Sequence, residues 1–199
     1  WVWTKCFSNS GDHFIHDSTR GVQKNLNAND DGEEATTSQG LQSFDSDGFT
    51  MGILGGMNFN TQSYVHWLWK VNGGTTSSDS NGDQTSTVQA NTTAGFSIAT
   101  FSASDSAGQT VGHGLGSAPD FYLWKSRARD DNWYVYHRSV GAGGYLRLNT
   151  TNTFTSNTNV WSNTDPSSTV IYYGGNSLST NNENHVIYSF KSVKGYSKF

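Results

Sequence analysis

Hydrophobic and polar residues alternate in short runs along much of this chain. In "YVHWLWK", residues 64–70, the positions Val65, Trp67 and Trp69 alternate with other residues. The run "HVIYSFK", residues 185–191, has the same pattern. Alternate residues of a β-strand share one face, so each run predicts a strand with a bulky apolar face.

Ten strands are predicted in this way, and no stretch keeps the 3.6-residue period of an amphipathic helix. They lie near residues 1–6, 12–17, 49–54, 63–70, 96–102, 120–126, 132–137, 145–149, 168–173 and 185–191. Composition agrees, since 22 Gly and much Asn, Ser and Thr supply turns while only three residues are Glu. Many short strands with frequent turns predict an all-β protein, an antiparallel β-sandwich of jelly-roll-like or similar type.

The chain also repeats itself. Four segments recur in the same order at offsets of 120, 120, 122 and 121 residues: "WTK" at 3–5 with "LWK" at 123–125, "DHFIHD" from Asp12 with "NWYVYH" from Asn132, "LNAND" from Leu26 with "LNTTN" from Leu148, and Lys70 with Lys191. A Gly-Gly pair, at 55–56 and at 174–175, precedes the last strand of each copy. Ordered matches of this kind indicate a tandem duplication.

The duplication predicts three parts. Residues 1–70 form a first unit that lacks the front portion of the repeat, and residues 95–199 form a complete second unit. Residues 71–94 are a Gly/Ser/Asp-rich connector in which "TSTVQA" is expected to pair as an edge strand. Either each unit folds as its own sandwich, or both contribute strands to a single one. Because the chain begins "WVWTKC", without Met or a signal-peptide pattern, we expect it to be a segment of something longer.

Charge and apolar content exclude several classes of partner. The net charge of −4 gives no general attraction to nucleic acid or anionic membranes. No apolar run reaches the roughly 20 residues that span a bilayer. The single Cys6 cannot form a disulfide within the chain. We therefore expect neither nucleic-acid binding nor membrane insertion.

Carboxylates offer little sign of catalysis. Glycoside hydrolysis normally needs two carboxylates on either side of the scissile bond, but the three Glu residues are predicted to lie in polar loops and Asp residues cluster at turns, where they favour turn formation. No His lies in an H-E-x-x-H motif and there is no G-x-S-x-G sequence. The sequence predicts no catalytic residues and no enzyme.

One segment resembles the opening of a calcium loop. In "DSNGDQ", Asp79, Asn81 and Asp83 occupy alternate positions, as oxygen ligands of Ca²⁺ do, but the later Glu of such a loop is missing. A weak calcium site and a flexible connector are both open interpretations.

Aromatic residues next to Asn or Asp give the candidate ligand site, because sugar rings stack on aromatic faces while their hydroxyls bond to polar groups. Trp161 with Asn163 and Asp165 in "NVWSNTD", and Tyr173 before "GGN", are predicted to be exposed. The alternative is that Trp161 is a core residue, because it lies near the place of Phe44 in the first copy.

The second unit resembles a repeat found in structural proteins of marine tailed bacteriophages, including those of cyanobacteria. The likeness rests on "GHGLGSAP", on "NWYVYH" and on the closing "GYSKF". It covers residues 95–199 strongly and 1–70 through the duplication. It implies a lectin-like, laminin-G or concanavalin-type sandwich in a tail fibre or on the particle surface, and it transfers no catalytic residue.

Three functions follow as hypotheses. The first is a non-enzymatic virion surface protein that contacts other virion proteins, forms a homo-oligomer such as a trimer, and binds a host cell-surface glycan. The second is a sandwich glycosidase or depolymerase. The third is a purely architectural oligomerisation spacer.

Overall fold

The fold is almost entirely β-structure. In the computed structural model, residues 1–53, 55–174, 178 and 180–199 are described. The strands are β1 Val2–Cys6, β2 His13–His16, β3 Lys24–Asn27, β4 Ala35–Thr36, β5 Leu41–Phe44, β6 Phe49–Met51, β7 Tyr64–Leu68, β8 Ser77–Asp79, β9 Ser86–Asn91, β10 Phe96–Ala103, β11 Gln109–Gly112, β12 Phe121–Ser126, β13 Tyr134–His137, β14 Gly144–Arg147, β15 Thr155–Ser156, β16 Val170–Tyr173 and β17 Glu183–Phe190. One turn of helix, α1 Gly55–Asn58, and a 3₁₀ turn, Gly141–Gly143, interrupt them. In the described part of the chain, no helix is long and apolar enough to cross a membrane.

These strands form two large antiparallel sheets and two small ones. The first large sheet has the order β4-β3-β2-β1-β7, and the second has the order β15-β14-β13-β12-β17-β10-β9-β8. The pairs β5-β6 and β11-β16 form separate two-stranded sheets. The predicted all-β antiparallel sandwich is confirmed.

The two large sheets pack face to face around one shared core. The first 71 residues contribute Trp1, Ile15, Leu26, Ala28 and Val71, and the second unit contributes Phe96, Ile98, Leu123, Trp133, Val135, Val186, Tyr188 and Phe190. Of the two arrangements that the repeat allows, the structure therefore has the one in which both units build a single sandwich.

A second core lies on the other face of the larger sheet, beneath β11 and β16. There Tyr122, Trp124 and Ile187 pack against Val111 and Ile171. The larger sheet is therefore covered on both faces. For this reason β17 is buried on both sides, whereas its alternating pattern predicted a strand with only one buried face.

Strand register repeats between the two units. Trp3 lies opposite Ile15 in the β1-β2 ladder, and Leu123 lies opposite Val135 in the β12-β13 ladder, each 120 residues further on. The same shift relates the β2-β3 and β3-β4 ladders to β13-β14 and β14-β15. The β1-β7 and β12-β17 ladders correspond when β7 is shifted by 121 residues. This is the repetition of order and register that the duplication hypothesis requires.

Side-chain hydrogen bonds repeat as well. Asn29 accepts a bond from the His13 N–H (2.7 Å) and donates to Asp12 (3.0 Å). Asn149 does the same with Trp133 (3.0 Å) and Asn132 (3.1 Å).

The strand ladders and these hydrogen bonds, which all relate the units by 120 residues, correct two residue equivalences that were proposed from the sequence. The equivalent of Leu26 is Leu146, at an offset of 120, and not Leu148. By the same offset Trp161 corresponds to the buried Leu41, and not to Phe44.

A glycine is required at one equivalent position of both units. A Cβ on Gly52 would lie 2.4 Å from the carbonyl oxygen of Gln39, and one on Gly174 would lie 1.9 Å from that of Asn159. Gly174 is therefore the counterpart of Gly52, so the two Gly-Gly pairs are not structurally matched; Gly175 lies outside the described residues.

The connector contributes strands to the larger sheet. "TSTVQA" is included in β9, which pairs with six consecutive residues of β10. The edge position that was expected for it is taken by β8, which pairs on the other side of β9.

Candidate functional site

The first unit contains an open cleft of about 800 Å³ at one end of its sheet. It lies between the ends of β1 and β7, the β5-β6 hairpin and the segment that follows β7. It is lined by Trp1, Val2, Ser18, Val22, Gln42, Ser43, Phe44, Asp45, Ser46, Asp47, Gly48, Leu68, Trp69, Lys70, Val71, Gly73 and Gly74.

The hairpin turn brings two carboxylates to the cleft. The Asp45 N–H donates to the Gly48 carbonyl over 2.9 Å, and the Thr50 hydroxyl donates to Asp45 Oδ2 over 3.0 Å. These bonds fix the turn and the Asp45 side chain, while Asp47 lies exposed at the tip. Short polar residues at such positions are typical of turns that reverse an antiparallel hairpin.

Aromatic rings also line the cleft. Trp69 is half-buried, and its ring centroid lies 5.3 Å from that of Trp1 and 5.9 Å from that of Phe190, both nearly edge-on. Phe44, on the hairpin, is also partly exposed. Because Trp69 packs against buried rings, its orientation is fixed before any ligand arrives.

The polar lining includes both donors and acceptors. Gln42 donates from Nε2 to the carbonyl oxygens of Ser38 (2.8 Å) and Gly40 (3.1 Å), which holds its amide in place. Lys70 adds an exposed cation, and the two aspartates add acceptors. A concave surface that combines apolar faces with a few fixed polar groups is the usual form of a small-ligand site.

In the second unit the corresponding residues are packed together. Asp165, the equivalent of Asp45, accepts bonds from the Tyr136 hydroxyl (3.0 Å) and the Ala142 N–H (2.9 Å). Trp161 donates from its indole to the Gly144 carbonyl over 2.9 Å. Asp45 therefore lines an open cleft, whereas its equivalent Asp165 is held in packing contacts; Trp161 and its equivalent Leu41 are buried in both units.

The predicted ligand residues are placed differently from the expectation. Trp161 and Tyr173 are both 0% exposed in the core, so the prediction that they present aromatic faces to solvent is wrong. Asn163 and Asp165 are exposed, but Asp165 is engaged as just described. The structure does not join these four residues into one surface.

The predicted calcium residues form a turn. Asp79 Oδ1 accepts bonds from the Asn81 backbone N–H (2.9 Å) and side-chain amide (2.7 Å). Asp83 Oδ2 accepts bonds from the Thr110 N–H (3.0 Å) and hydroxyl (2.7 Å). Among the residues that are described, no group of three His, Cys, Asp or Glu side chains is placed to hold a metal ion.

Buried charges also join the two units. The Arg20 guanidinium donates to Asp17 (2.5 Å) and to Glu34 (3.0 Å). Glu34 also accepts two hydrogen bonds from the Arg127 guanidinium (2.8 and 2.9 Å). The Tyr188 hydroxyl donates to Asp17 (2.6 Å). Burial alone would raise the pKa of Asp17, but the Arg20 guanidinium lowers it below its ordinary value.

A second buried group surrounds His185. Its Nδ1 accepts a bond from the Trp124 indole over 3.0 Å, and its Nε2 lies 3.4 Å from Glu183. Burial lowers the pKa of His185 to about 4, so the ring is neutral near pH 7. The ring is fully buried, so we assign this cluster a structural role.

A family model described as "Domain of unknown function (DUF7483)" matches residues 1–199. This chain belongs to the DUF7483 family. Neither a curated protein nor a solved structure matches the DUF7483 chain.

The sequence does not predict the cleft of this DUF7483 chain, although the residues that line it lie in recognisable sequence patterns. The sequence pattern places Asp45 and Asp47 in a turn and Trp69 on the face of a strand. The offset of 120 residues connects Asp165 to Asp45. Applied to the predicted site, it would have pointed to the first unit.

Proposed function

We propose that this protein is a non-enzymatic carbohydrate-binding module of a virion surface, which attaches to a host glycan through the cleft of its first unit. The observation that carries the proposal is the open cleft between the Trp69 wall and the Asp45–Asp47 turn.

Sugar chemistry fits this lining. The C–H faces of a pyranose ring pack on aromatic faces such as those of Trp69 and Phe44, and its hydroxyls donate to carboxylates. Lys70 donates to ring or hydroxyl oxygens, and because two aspartates outnumber the one lysine in the lining, the cleft favours a neutral sugar over a sulfated or carboxylated one. Since Trp69 and Gln42 are fixed by their own contacts, little conformational entropy is lost on binding.

Binding is favoured over hydrolysis by the placement of the acids. Both cleft carboxylates belong to a single turn, and Asp45 is already bonded to the Thr50 hydroxyl. A glycosidase places its two carboxylates on opposite sides of the scissile bond. We therefore assign Asp45 and Asp47 the role of hydrogen-bond acceptors.

The virion setting follows from the resemblance of residues 95–199 to phage structural repeats. It predicts that antibodies against this module label intact particles in immunogold microscopy. Particles that never carry the label would contradict the surface assignment without bearing on the cleft.

The cleft is tested by binding the whole chain to a panel of neutral, carboxylated and sulfated polysaccharides. Trp69→Ala should abolish binding, and Asp45→Asn should weaken it about tenfold, the loss of roughly one charged hydrogen bond. Trp67→Ala is the matched control, because Trp67 is an exposed tryptophan two residues away that does not line the cleft. Equal binding by Trp69→Ala and Trp67→Ala, or release of reducing ends from any polysaccharide, would contradict the proposal.

A second candidate, the architectural spacer, is favoured by a different observation. The outer edge of β7 carries exposed apolar side chains, as a surface that contacts another chain does.

A further inference from the structure

One backbone donor of the cleft lacks the acceptor that its counterpart has in the second unit. Val22 lines the cleft, and within the described part of the chain no group accepts a hydrogen bond from its N–H. Its equivalent is Ala142, because β2 and β3 are related to β13 and β14 by 120 residues and the loops between them have equal length. The Ala142 N–H donates to Asp165 Oδ1 over 2.9 Å. The first unit therefore has the donor without the acceptor.

A second donor to the same carboxylate oxygen has an unpaired counterpart as well. Asp165 Oδ1 also accepts a bond from the Tyr136 hydroxyl over 3.0 Å. The equivalent of Tyr136 is His16, and neither of its ring nitrogens has a hydrogen-bond partner among the residues that are described. His16 lies opposite Val2, which lines the cleft, so the two residues share one face of the sheet. The His16 ring is fully buried, and we therefore assign the contact with a ligand to the Val22 N–H alone.

The place of the missing acceptor is open. A Cβ on Gly141 would lie 3.5 Å from Asp165 Oδ1. A Cβ on the equivalent Gly21 would meet nothing within 4 Å apart from its chain neighbours. The space that the carboxylate fills in the second unit is therefore free beside Val22.

The length of the hairpin explains the open space. The Gly52 N–H donates to the carbonyl of Gly40, twelve residues earlier, whereas the Gly174 N–H donates to that of Val160, fourteen residues earlier. The hairpin of the first unit is thus two residues shorter. Its Asp45 accepts a bond from a hydroxyl of the same hairpin and none from the Val22 N–H.

The lining restricts the kind of acceptor that a ligand brings to Val22. Two aspartates outnumber the one lysine, so a neutral oxygen is favoured over a carboxylate or a sulfate. Among neutral groups of sugars, an amide offers a carbonyl acceptor together with an N–H donor, and the carboxylates of the Asp45–Gly48 turn accept from such donors. The methyl group of an acetamide packs on apolar side chains, which Val2 and Leu68 supply.

We propose that the cleft binds sugars that carry an N-acetyl group, whose carbonyl oxygen accepts a hydrogen bond from the Val22 N–H. In this position the carbonyl oxygen replaces the carboxylate oxygen that Asp165 presents to Ala142 in the second unit. This inference rests on the proposed function and names the class of sugar that the cleft recognises.

The test compares two hexasaccharides with the same backbone linkage by calorimetry on the complete chain. Each ring carries an acetamido group in chitohexaose and a hydroxyl in its place in cellohexaose. Chitohexaose should bind at least about tenfold more tightly, the equivalent of one hydrogen bond. Trp69→Ala should abolish the binding of both, because Trp69 lines the cleft for either sugar.

The Val22 amide gives a readout at the atom itself. On binding of chitohexaose its proton signal should shift downfield and its exchange with solvent should slow, because the N–H gains a carbonyl acceptor. Cellohexaose should not slow this exchange. The Ala142 amide is the control, since its bond to Asp165 is already made and neither sugar should change it.

A pair of variants separates the N–H from the side chain. Val22→Ala keeps the backbone N–H and should keep the preference for chitohexaose. Val22→Pro removes it and should reduce that preference to about twofold or less. The amide measurement keeps the test decisive even if Val22→Pro fails to fold.

Three results would overturn the N-acetyl assignment. They are equal affinity for the two sugars, an unchanged Val22 amide in the chitohexaose complex, and an unchanged preference in Val22→Pro. If Trp69→Ala still abolishes binding in these cases, the proposed function stands and only the assignment of the sugar class falls. If neither hexasaccharide binds, the assignment falls as well, and the wider polysaccharide panel decides the proposed function separately.

Discussion

The two units of this protein have the same strand order and register, yet they differ in what surrounds them. The second unit is covered on both faces and extended by β8, β9 and β10. The first unit ends at β7 and leaves a cleft below the Asp45–Gly48 turn. The same strand arrangement is therefore covered by neighbouring elements in the second unit and left partly exposed in the first. The difference lies in the neighbouring strands and in the side chains.

The largest expected effect is at the buried charges that join the units. Asp17→Ala should lower the free energy of unfolding by about 3–5 kcal/mol, because it leaves Arg20 buried with one partner fewer and removes the acceptor of the Tyr188 hydroxyl. The imidazole of His137, the equivalent residue of the second unit, is partly exposed and accepts a bond from the Ser139 N–H. His137→Ala should cost less than about 1 kcal/mol. Urea unfolding measures both, and equal costs would contradict the assigned difference.

The second effect concerns pH. His16 and His185 are buried histidines whose equivalents in the other unit are Tyr136 and Tyr64, and burial lowers the pKa of each to about 4. A histidine with a lowered folded pKa stabilises the fold fully above its ordinary pKa of about 6.5, and this stability is lost as pH falls from there toward 4.

Each histidine should therefore reduce the free energy of unfolding by about 1.4 kcal/mol per pH unit in that window. His16→Tyr introduces the residue found at the equivalent position of the second unit. It should remove one such contribution from the dependence of the free energy of unfolding on pH. Urea unfolding between pH 7 and 4.5 measures it. A slope that is unchanged in the variant would show that His16 is not the titrating group.

The third effect should be shared by both units. Gly52→Ala and Gly174→Ala bring a Cβ into a backbone carbonyl oxygen, so each should cost about 1–3 kcal/mol. Gly48→Ala, where a Cβ meets nothing within 4 Å, is the control. A large cost at only one of the two glycines would break the structural equivalence of the units at this position.

The smallest effect is at the open edge. Trp67→Ala should cost about 1 kcal/mol or less, because the side chain is 42% exposed, whereas Tyr188→Ala should cost about 3–5 kcal/mol. Thermal unfolding compares the two.

Sequence reasoning recovered the fold because alternation is a local property. The runs around Trp67 and Tyr188, and the offset of 120 residues, are visible without coordinates. It missed strands such as β3 and β5, which are four residues long and whose apolar residues are too few to show a period. It also could not tell that β11 and β16 cover the second face of the larger sheet.

The candidate site was harder to predict for a physical reason. Aromatic residues beside Asn or Asp occur both in binding surfaces and in cores. Whether such a residue is exposed depends on whether another part of the fold packs over it. Trp161 sits under such a layer and Trp69 does not. The covering layer is a non-local property, so composition near Trp161 carried no information about it.

The most direct test of the central claim follows the indole N–H signals of the seven tryptophans by NMR during titration with a polysaccharide that binds. The account predicts that the signals of Trp69 and Trp1 shift in proportion to occupancy while those of Trp124, Trp133 and Trp161 stay in place. Shifts at Trp161 with none at Trp69 would place the ligand in the second unit and contradict the account.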